Sequence, residues 1–345
     1  MSSSRYRRVL RSTIAAALLG AGVVAPAAVT AQAHPAAVDV GHRVVCSFAT
    51  EVLGEVSGLA RSRVHPGIAW ATNDSGGGPR LYALDTTTCE IRATLILLDT
   101  PARDHEALAT GTDAAGRDVI WIGDIGDNQG IWPYYRIHKV VEPKVLREAA
   151  VPVTTYRYTY PDGAHNAEAM LAEPDSEQLW VITKESGVGG GIYRLPSPMS
   201  DSLTPMTAER VGSARALVTD ASMAPDASQY VVRDYFSAEV FAGTPPGAAQ
   251  ARFRLPLQPL GEAVTWTADG KHLLVASENS GDLIEVDVPA SALGEDSGLS
   301  SVLPRVAGFD IYPYVRVVGA VLALVAVLLL WRRRRRSARR GSAPR

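Results

Sequence analysis

The chain has only two cysteines, Cys46 and Cys89, in 345 residues. No C-x-x-C spacing occurs, so a structural zinc site built on paired thiolates is not indicated. A G-x-S-x-G nucleophile elbow is also missing. Ser186 in ESGVGGG (185–191) lacks the flanking glycine, which argues against an acyl-enzyme esterase. The same stretch is not closed by G-K-S/T, so it is no phosphate-binding P-loop. Between the two termini no segment keeps a helical hydrophobic period for long, which excludes a helix bundle. Basic residues are scarce there as well: 21 lysines and arginines face all 36 acids, a net charge near −15. Phosphate-backbone binding needs clustered Lys and Arg, so no nucleic-acid partner is expected. Divalent cations suit such a surface better.

The hydrophobic runs that do exist lie at the ends. Arg5, Arg7, Arg8 and Arg11 precede an almost wholly apolar stretch from Thr13 to Val29, and AQA at 31–33 supplies a small-residue cleavage site. This reads as a signal peptide over 1–33. The pair Arg7–Arg8 resembles a Tat signal, and Sec or Tat export both remain open. Val317–Trp331 contains no charge, and with Ile311–Val315 the segment 311–331 reaches about 30 Å as a helix, enough for a bilayer core. Arg332 to Arg336 follow at once, so the positive-inside rule places the tail 332–345 in the cytoplasm. LPRVAG (303–308) resembles a sortase signal but carries Val306 where that signal wants threonine, so a permanent transmembrane anchor is the reading. The expected order is signal peptide, ectodomain 34–289, linker 290–310, membrane helix and basic tail. The protein is then a single-pass cell-membrane protein with its ectodomain outside.

Within the ectodomain, runs of Val, Ile, Tyr and Trp alternate with Gly, Pro, Asp and Ser turns, an all-β signature. Stacking the runs by their openings reveals a repeat: VSGLARS (56–62), HEALATG (105–111), AEAMLAE (167–173), TDASMAP (219–225) and EAVTWTA (262–268). Each opening leads into a second and third strand, and four of the units show a fourth. Four antiparallel strands repeating every 40–60 residues predict a five-bladed β-propeller, with six blades as the alternative. The last unit lacks a fourth strand, and RVVCSFA (43–49) is an alternating run with no blade of its own. Pairing the two closes the ring and removes an exposed edge. Cys46 then lies on the closing strand and Cys89 in the neighbouring blade, so one disulfide would lock the closure.

In a propeller the first strand of each blade lines the central channel. Residues at equivalent positions near the strand starts converge on the axis, and here they read Ser57, Glu106, Glu168, Asp220 and Glu262. Four crowded carboxylates raise one another's pKa and need protons or a cation to compensate them. Hard oxygen ligands suit Ca2+, the expected cofactor.

The openings VSGLA, DHEALA and AEAML, with the strand ends ATNDSGG and GDIGDN, resemble the SdiA-regulated and phytase-esterase-like families of exported propellers. The likeness covers about residues 52–288. The axial order is also similar to that of calcium-activated nucleotidases, five-bladed propellers with axial calcium, except at Asp220, where they have serine. The resemblance implies a shared fold and an axial calcium, without carrying over nucleotide hydrolysis.

The turns between second and third strands share a face with the openings. They hold Asn73, Asp74, Asp124, Asp127, Asn128, Lys184 and Arg233. An enzyme reading uses a calcium-activated water, Asp74 or Asp124 as base and His105 or His165 as acid, with Lys184 and Arg233 on a phosphate or carboxylate. A binding reading uses Asn73, Asp127, Asn128, Lys184 and Arg233 to recognise a small molecule or a protein. The same Asx side chains also serve as ordinary turn residues, and the two cations as salt partners of nearby acids. A calcium-binding module at the cell surface ranks first, and calcium-dependent phosphoester or nucleotidase-like hydrolysis second.

Overall fold

Segments rich in β-branched and aromatic residues favour a pleated backbone, and Asp, Gly and Pro interrupt them where the chain must turn. A computed structural model describes residues 37–74, 78–101, 103–187 and 189–294. The segments expected to form the signal peptide, membrane span and tail, and most of the linker, lie outside the described residues. Among those described, no helix is long and apolar enough to cross a membrane.

The described chain is an all-β, five-bladed propeller. Blade 1 consists of Val56–Arg61, Ile68–Asn73, Arg80–Asp85 and Ile91–Leu97. Blade 2 is His105–Thr112, Asp118–Asp124, Tyr135–Val141 and Thr154–Thr159, and blade 3 is Ala167–Ala172, Leu179–Thr183, Gly191–Arg194 and Glu209–Ser213. Blade 4 follows with Val218–Met223, Gln229–Asp234, Ser237–Ala242 and Ala249–Arg254. Blade 5 contributes Leu260–Trp266, His272–Glu278 and Ser280–Asp287, and His42–Ser47 supplies its outer strand. That strand runs antiparallel to Ser280–Asp287, with Val44 opposite Ile284 and Cys46 opposite Leu283. The first strands of the blades touch one another in ring order, and blade 5 returns to blade 1.

Two details depart from a plain repeat. A one-turn helix, Thr50–Leu53, buries Leu53 between the closing strand and blade 1. Ala149–Val151 pairs in parallel with the outer strand of blade 1, and Met206–Thr207 with that of blade 2. Both pieces are too short to carry a periodic signal, and both cover edges that would otherwise stay open.

Each blade is buried on both faces, so its inner strands read as nearly continuous apolar runs rather than alternating ones. Among the described residues a hydrophobic cluster fills every blade junction. Trp70, Leu81 and Ile120 pack between blades 1 and 2, Trp121, Tyr158 and Met170 between 2 and 3, and Trp180 and Tyr230 between 3 and 4. Phe253 and Trp266 join blades 4 and 5, while Leu53, Tyr82 and Leu283 join 5 and 1. Cys46 and Cys89 form a disulfide at this last junction, with Cα atoms 5.6 Å apart. It cross-links the closing strand to the turn before the outer strand of blade 1.

Because 43 residues separate the two cysteines, chain entropy predicts that the bond stabilises the fold by about 4 kcal/mol. The double variant Cys46→Ser/Cys89→Ser should lower the unfolding free energy in urea by about that amount. An unchanged midpoint would show that the cross-link does not secure the ring.

Candidate metal centre

Each innermost strand loses register with its neighbour once, near its start. The residues passed over are Ser57, Glu106, Glu168, Thr219 and Glu262. A bulge leaves one residue unpaired and re-aims its side chain, and five bulges in phase re-aim five side chains at one level of the ring. In blade 4 that residue is Thr219, not Asp220 as the stacked openings suggest. Asp220 spends both carboxylate oxygens on backbone donors, Oδ1 on Ala221 N at 2.8 Å and Oδ2 on Val264 N at 2.7 Å. Thr219 repeats the geometry of Ser57. Ser57 Oγ donates to His105 O at 2.6 Å and Thr219 Oγ1 to Gly261 O at 3.0 Å, each to the residue before the next blade's glutamate.

The slip has a visible origin. Asp220–Ala221 mimics the Glu–Ala pairs at 106–107, 168–169 and 262–263. A better ruler was present: Asp113, Asp175, Asp226 and Asp269 stand seven residues after Glu106, Glu168, Thr219 and Glu262. Asp113, Asp226 and Asp269 accept backbone N–H bonds in the hairpin turns between first and second strands, which is why their spacing is constant.

Glu106, Glu168 and Glu262 place carboxylate oxygens within 4.8 Å of one another, and the residues are only 4%, 3% and 7% exposed. Burial raises all three pKa values; repulsion from neighbouring acids adds to it, Lys184 opposes it at Glu168 and Glu262, and Glu106 is pushed well above the usual carboxylate range. Glu168 is the compensated one. Lys184 Nζ lies 3.2 Å from its Oε1, and Asn166 Nδ2 donates to the same oxygen at 2.9 Å. Burial works against the Lys184 ammonium, yet Glu168, then Tyr235 and Glu262, hold its pKa above the ordinary value. The ammonium also sits 5.1 Å over the Tyr235 ring. Among the described residues, Glu106 has no hydrogen bond or ion pair.

Asp74 and Asp104 form a second acidic group with Glu106, again within 4.8 Å. Burial, then a bond to Asp104, pushes Asp74 up to about 7. Asp104, which sequence reasoning did not single out, is also raised by burial. Its signal was available in the alternation of RDHEALA: Asp104 and Glu106 turn toward the mouth and axis while His105 turns into blade 2.

Several other sequence candidates support the mouth or flank it. Asp124 accepts from Arg103 N at 3.1 Å and Asp104 N at 2.9 Å, and its Oδ2 lies 3.2 Å from Arg103 Nε and from Arg136 Nη1. Against the effect of burial, His138, His105 and these donors hold Asp124 well below the usual carboxylate range. His105 is buried beside it, which lowers its pKa to about 4. Asp127 caps its own loop, accepting from Ile131 N, Trp132 N and Tyr135 Oη, each at 2.9 Å. Asn128 Oδ1 accepts from Asn166 Nδ2 at 3.2 Å, and Asn73 Nδ2 donates to Val52 O at 2.9 Å. His165 is held between Glu185 at 2.9 Å and Asp162 at 3.1 Å. Arg233 is fully buried and donates to Ala263 O at 2.9 Å, so it staples blade 4 to blade 5; burial lowers its pKa to about 10. The mouth therefore gathers Asp74, Asp104, Glu106, Glu168, Lys184 and Glu262, while Asp124, His105, Asp127 and Arg233 form its supports.

No family model matches the chain, and no curated protein matches it. Among solved structures it is similar to the PQQ-bound aldose sugar dehydrogenase of Streptomyces coelicolor, with TM-score 0.44 and 11% identity over 75% of this chain and 100% of that one. A structure of the mitotic checkpoint complex gives TM-score 0.36 and 14% identity over 67% of this chain and 60% of that one. The Dos1 propeller gives 0.35 and 11% over 68% and 59%. The blade count rests on the sheet topology itself.

Two expectations follow. In the metal-free chain, Asp74 keeps in the folded state a proton that the unfolded chain releases between its ordinary value of 3.8 and about 7. Stability should therefore fall as pH rises through that window, and Glu106, Glu168 and Glu262 act in the same sense. Asp113, lowered to about 2, loses its contribution only toward acid pH, whereas His105, lowered from 6.5 to about 4, opposes the slope across that span; the four raised carboxylates outweigh the single imidazole. Urea midpoints in chelator should be higher at pH ~5 than at ~7.5, and the opposite order would contradict the reading. Separately, Asp124→Asn leaves Arg103 and Arg136 without their buried partner and should cost about 3 kcal/mol in thermal unfolding.

Proposed function

We propose that this chain is a membrane-tethered extracytoplasmic propeller that holds Ca2+ on its axis and binds a small-molecule or protein ligand at the acidic mouth. The observation that carries the reading is the convergence of Glu106, Glu168 and Glu262, buried at the level of the bulges. Three carboxylates crowded in this way are costly unless a cation neutralises them. The donor set fits a hard ion: carboxylate oxygens, with the hydroxyl residues Ser57 and Thr219 at the equivalent bulge positions, and no thiolate among the described residues of the group. Bound there, Ca2+ would supply charge neutralisation and a Lewis-acid contact for an anionic oxygen. The resemblance to exported propellers with axial calcium supports the same assignment.

Topology supports a tethered binding module. The innermost strands begin at the mouth, and successive strands alternate in direction. Ser280–Asp287, a third strand, therefore runs away from the mouth, and the chain leaves the disc at its far face. A tether attached there leaves the acid ring free for a ligand, with Asn73, Asn128 and Lys184 at its rim.

One observation favours the second reading, calcium-dependent phosphoester hydrolysis. Asp74, held near neutrality beside Asp104, is a group able to give or take a proton at physiological pH. His105 is buried and His165 is already engaged, so acid–base work at the mouth would fall to Asp74.

Purified full chain should be tested against a panel of phosphoesters and esters with and without chelator. At a hundredfold excess over Kd, bound Ca2+ stabilises by about 2.7 kcal/mol, so chelation should lower Tm by roughly 5–10 °C. Loss of Tm without turnover supports the binding module. Turnover abolished by chelator and by Asp74→Asn supports the hydrolase, and an unchanged Tm with no bound ion removes the axial calcium.

A further inference from the structure

The axial ion does not account for all the charge at the mouth. Glu106, Glu168 and Glu262 with the Lys184 ammonium leave a net charge that one divalent ion balances. Asp74 and Asp104 remain, and among the described residues neither has an ion-pair partner. Their backbone keeps them from retreating. Asp74 is held through its N–H on Glu55 O at 2.9 Å and its own carbonyl on His105 N at 3.2 Å. Asp104 is pinned by its N–H on Asp124 Oδ1 at 2.9 Å and by Ile125 N donating to its carbonyl at 3.1 Å. Gly126 closes the fit, because a Cβ at that position would collide with the Asp104 carboxylate.

Two side-chain observations point to a missing positive partner. Glu106 is 4% exposed, reaches both acidic groups, and has no hydrogen bond or ion pair among the described residues. Asp74 Oδ1 is sealed from solvent and has no donor. Oxygens of Asp74, Asp104 and Glu106 lie within 4.8 Å of one another, the spacing of a group able to hold one metal ion through hard oxygen ligands.

We propose that Asp74, Asp104 and Glu106 form a second, off-axis Ca2+ site, joined to the axial site through the shared Glu106 carboxylate. The proposal leans on the axial reading only in that sharing. A two-ion mouth explains why the acids there outnumber the lysines among the described residues. It also assigns Asp104 as a ligand and Asp124 as the positioning residue behind it. A proton shared between Asp74 and Asp104 is the competing way to relieve the same repulsion, and it demands no second ion.

The test counts ions. After chelator treatment and dialysis, the full chain should bind two Ca2+ per molecule by equilibrium dialysis. Asp104→Asn should lose one ion and keep the other. The pair Glu168→Gln/Glu262→Gln should also lose one, namely the axial ion. Because a variant that fails to fold would lose both, the wild-type chain is also loaded with Mn2+. Two ions bridged by one carboxylate give a spin-coupled resonance rather than the spectrum of isolated Mn2+. One ion per wild-type chain, lost in the glutamate pair but kept in Asp104→Asn, overturns the off-axis site and leaves the axial one standing. One ion lost in Asp104→Asn but kept in the glutamate pair does the reverse. No bound ion at all overturns both.

Discussion

Carboxylates held together inside a closed ring are the constraint around which this molecule is organised. Moving an ionised carboxylate out of water costs several kcal/mol even after relaxation, and here three meet at one level of the axis. They cannot spread apart, because each sits on a bulge of a strand wedged between two neighbours. The blade junctions, filled by Trp70, Trp121, Trp180, Trp266 and the tyrosines around Tyr158, oppose that repulsion. Ring closure by His42–Ser47 and the Cys46–Cys89 bond completes the restraint.

Around the axis the supports form a second layer with its own logic. Asp124 is buried and ion-paired, and it fixes the backbone that carries Asp104 and Glu106. Asn166 links the blade 2 loop to the axis, since its Oδ1 accepts from Asp127 N at 2.6 Å while its Nδ2 reaches Glu168. Arg233 performs the corresponding task between blades 4 and 5. Polar residues that look alike in sequence therefore divide into those facing the axis and those holding them. Lys184 belongs to both sets, as the one ammonium close to Glu168 and as a rim residue beside Tyr235.

The fold was largely legible. Repeating openings and a stray alternating run at 43–49 sufficed for five blades and a closing strand, because strand spacing and edge protection are local requirements that every repeat must meet. Glu106, Glu168 and Glu262 were legible for the same reason. Asp220 was misplaced because a two-residue likeness, Asp–Ala for Glu–Ala, hid the bulge at Thr219, and a bulge is decided by cross-strand register. Asp104 escaped notice because it stands just before the strand His105–Thr112, where its alternation with Glu106 spans too few residues to stand out as a period. The burial of His105 and Arg233 was equally invisible, since both are polar residues at strand ends.

By itself, then, the order of residues determined what repeats: strand, turn, strand, with an acid or hydroxyl at each opening and a cysteine on either side of the seam. Tertiary structure alone decided which of those groups share an environment. Residues more than two hundred positions apart became neighbours only when the ring closed. Burial and register, which arise from that closure, turned similar carboxylates into axial groups at Glu106, backbone caps at Asp220 and buried counter-ions at Asp124.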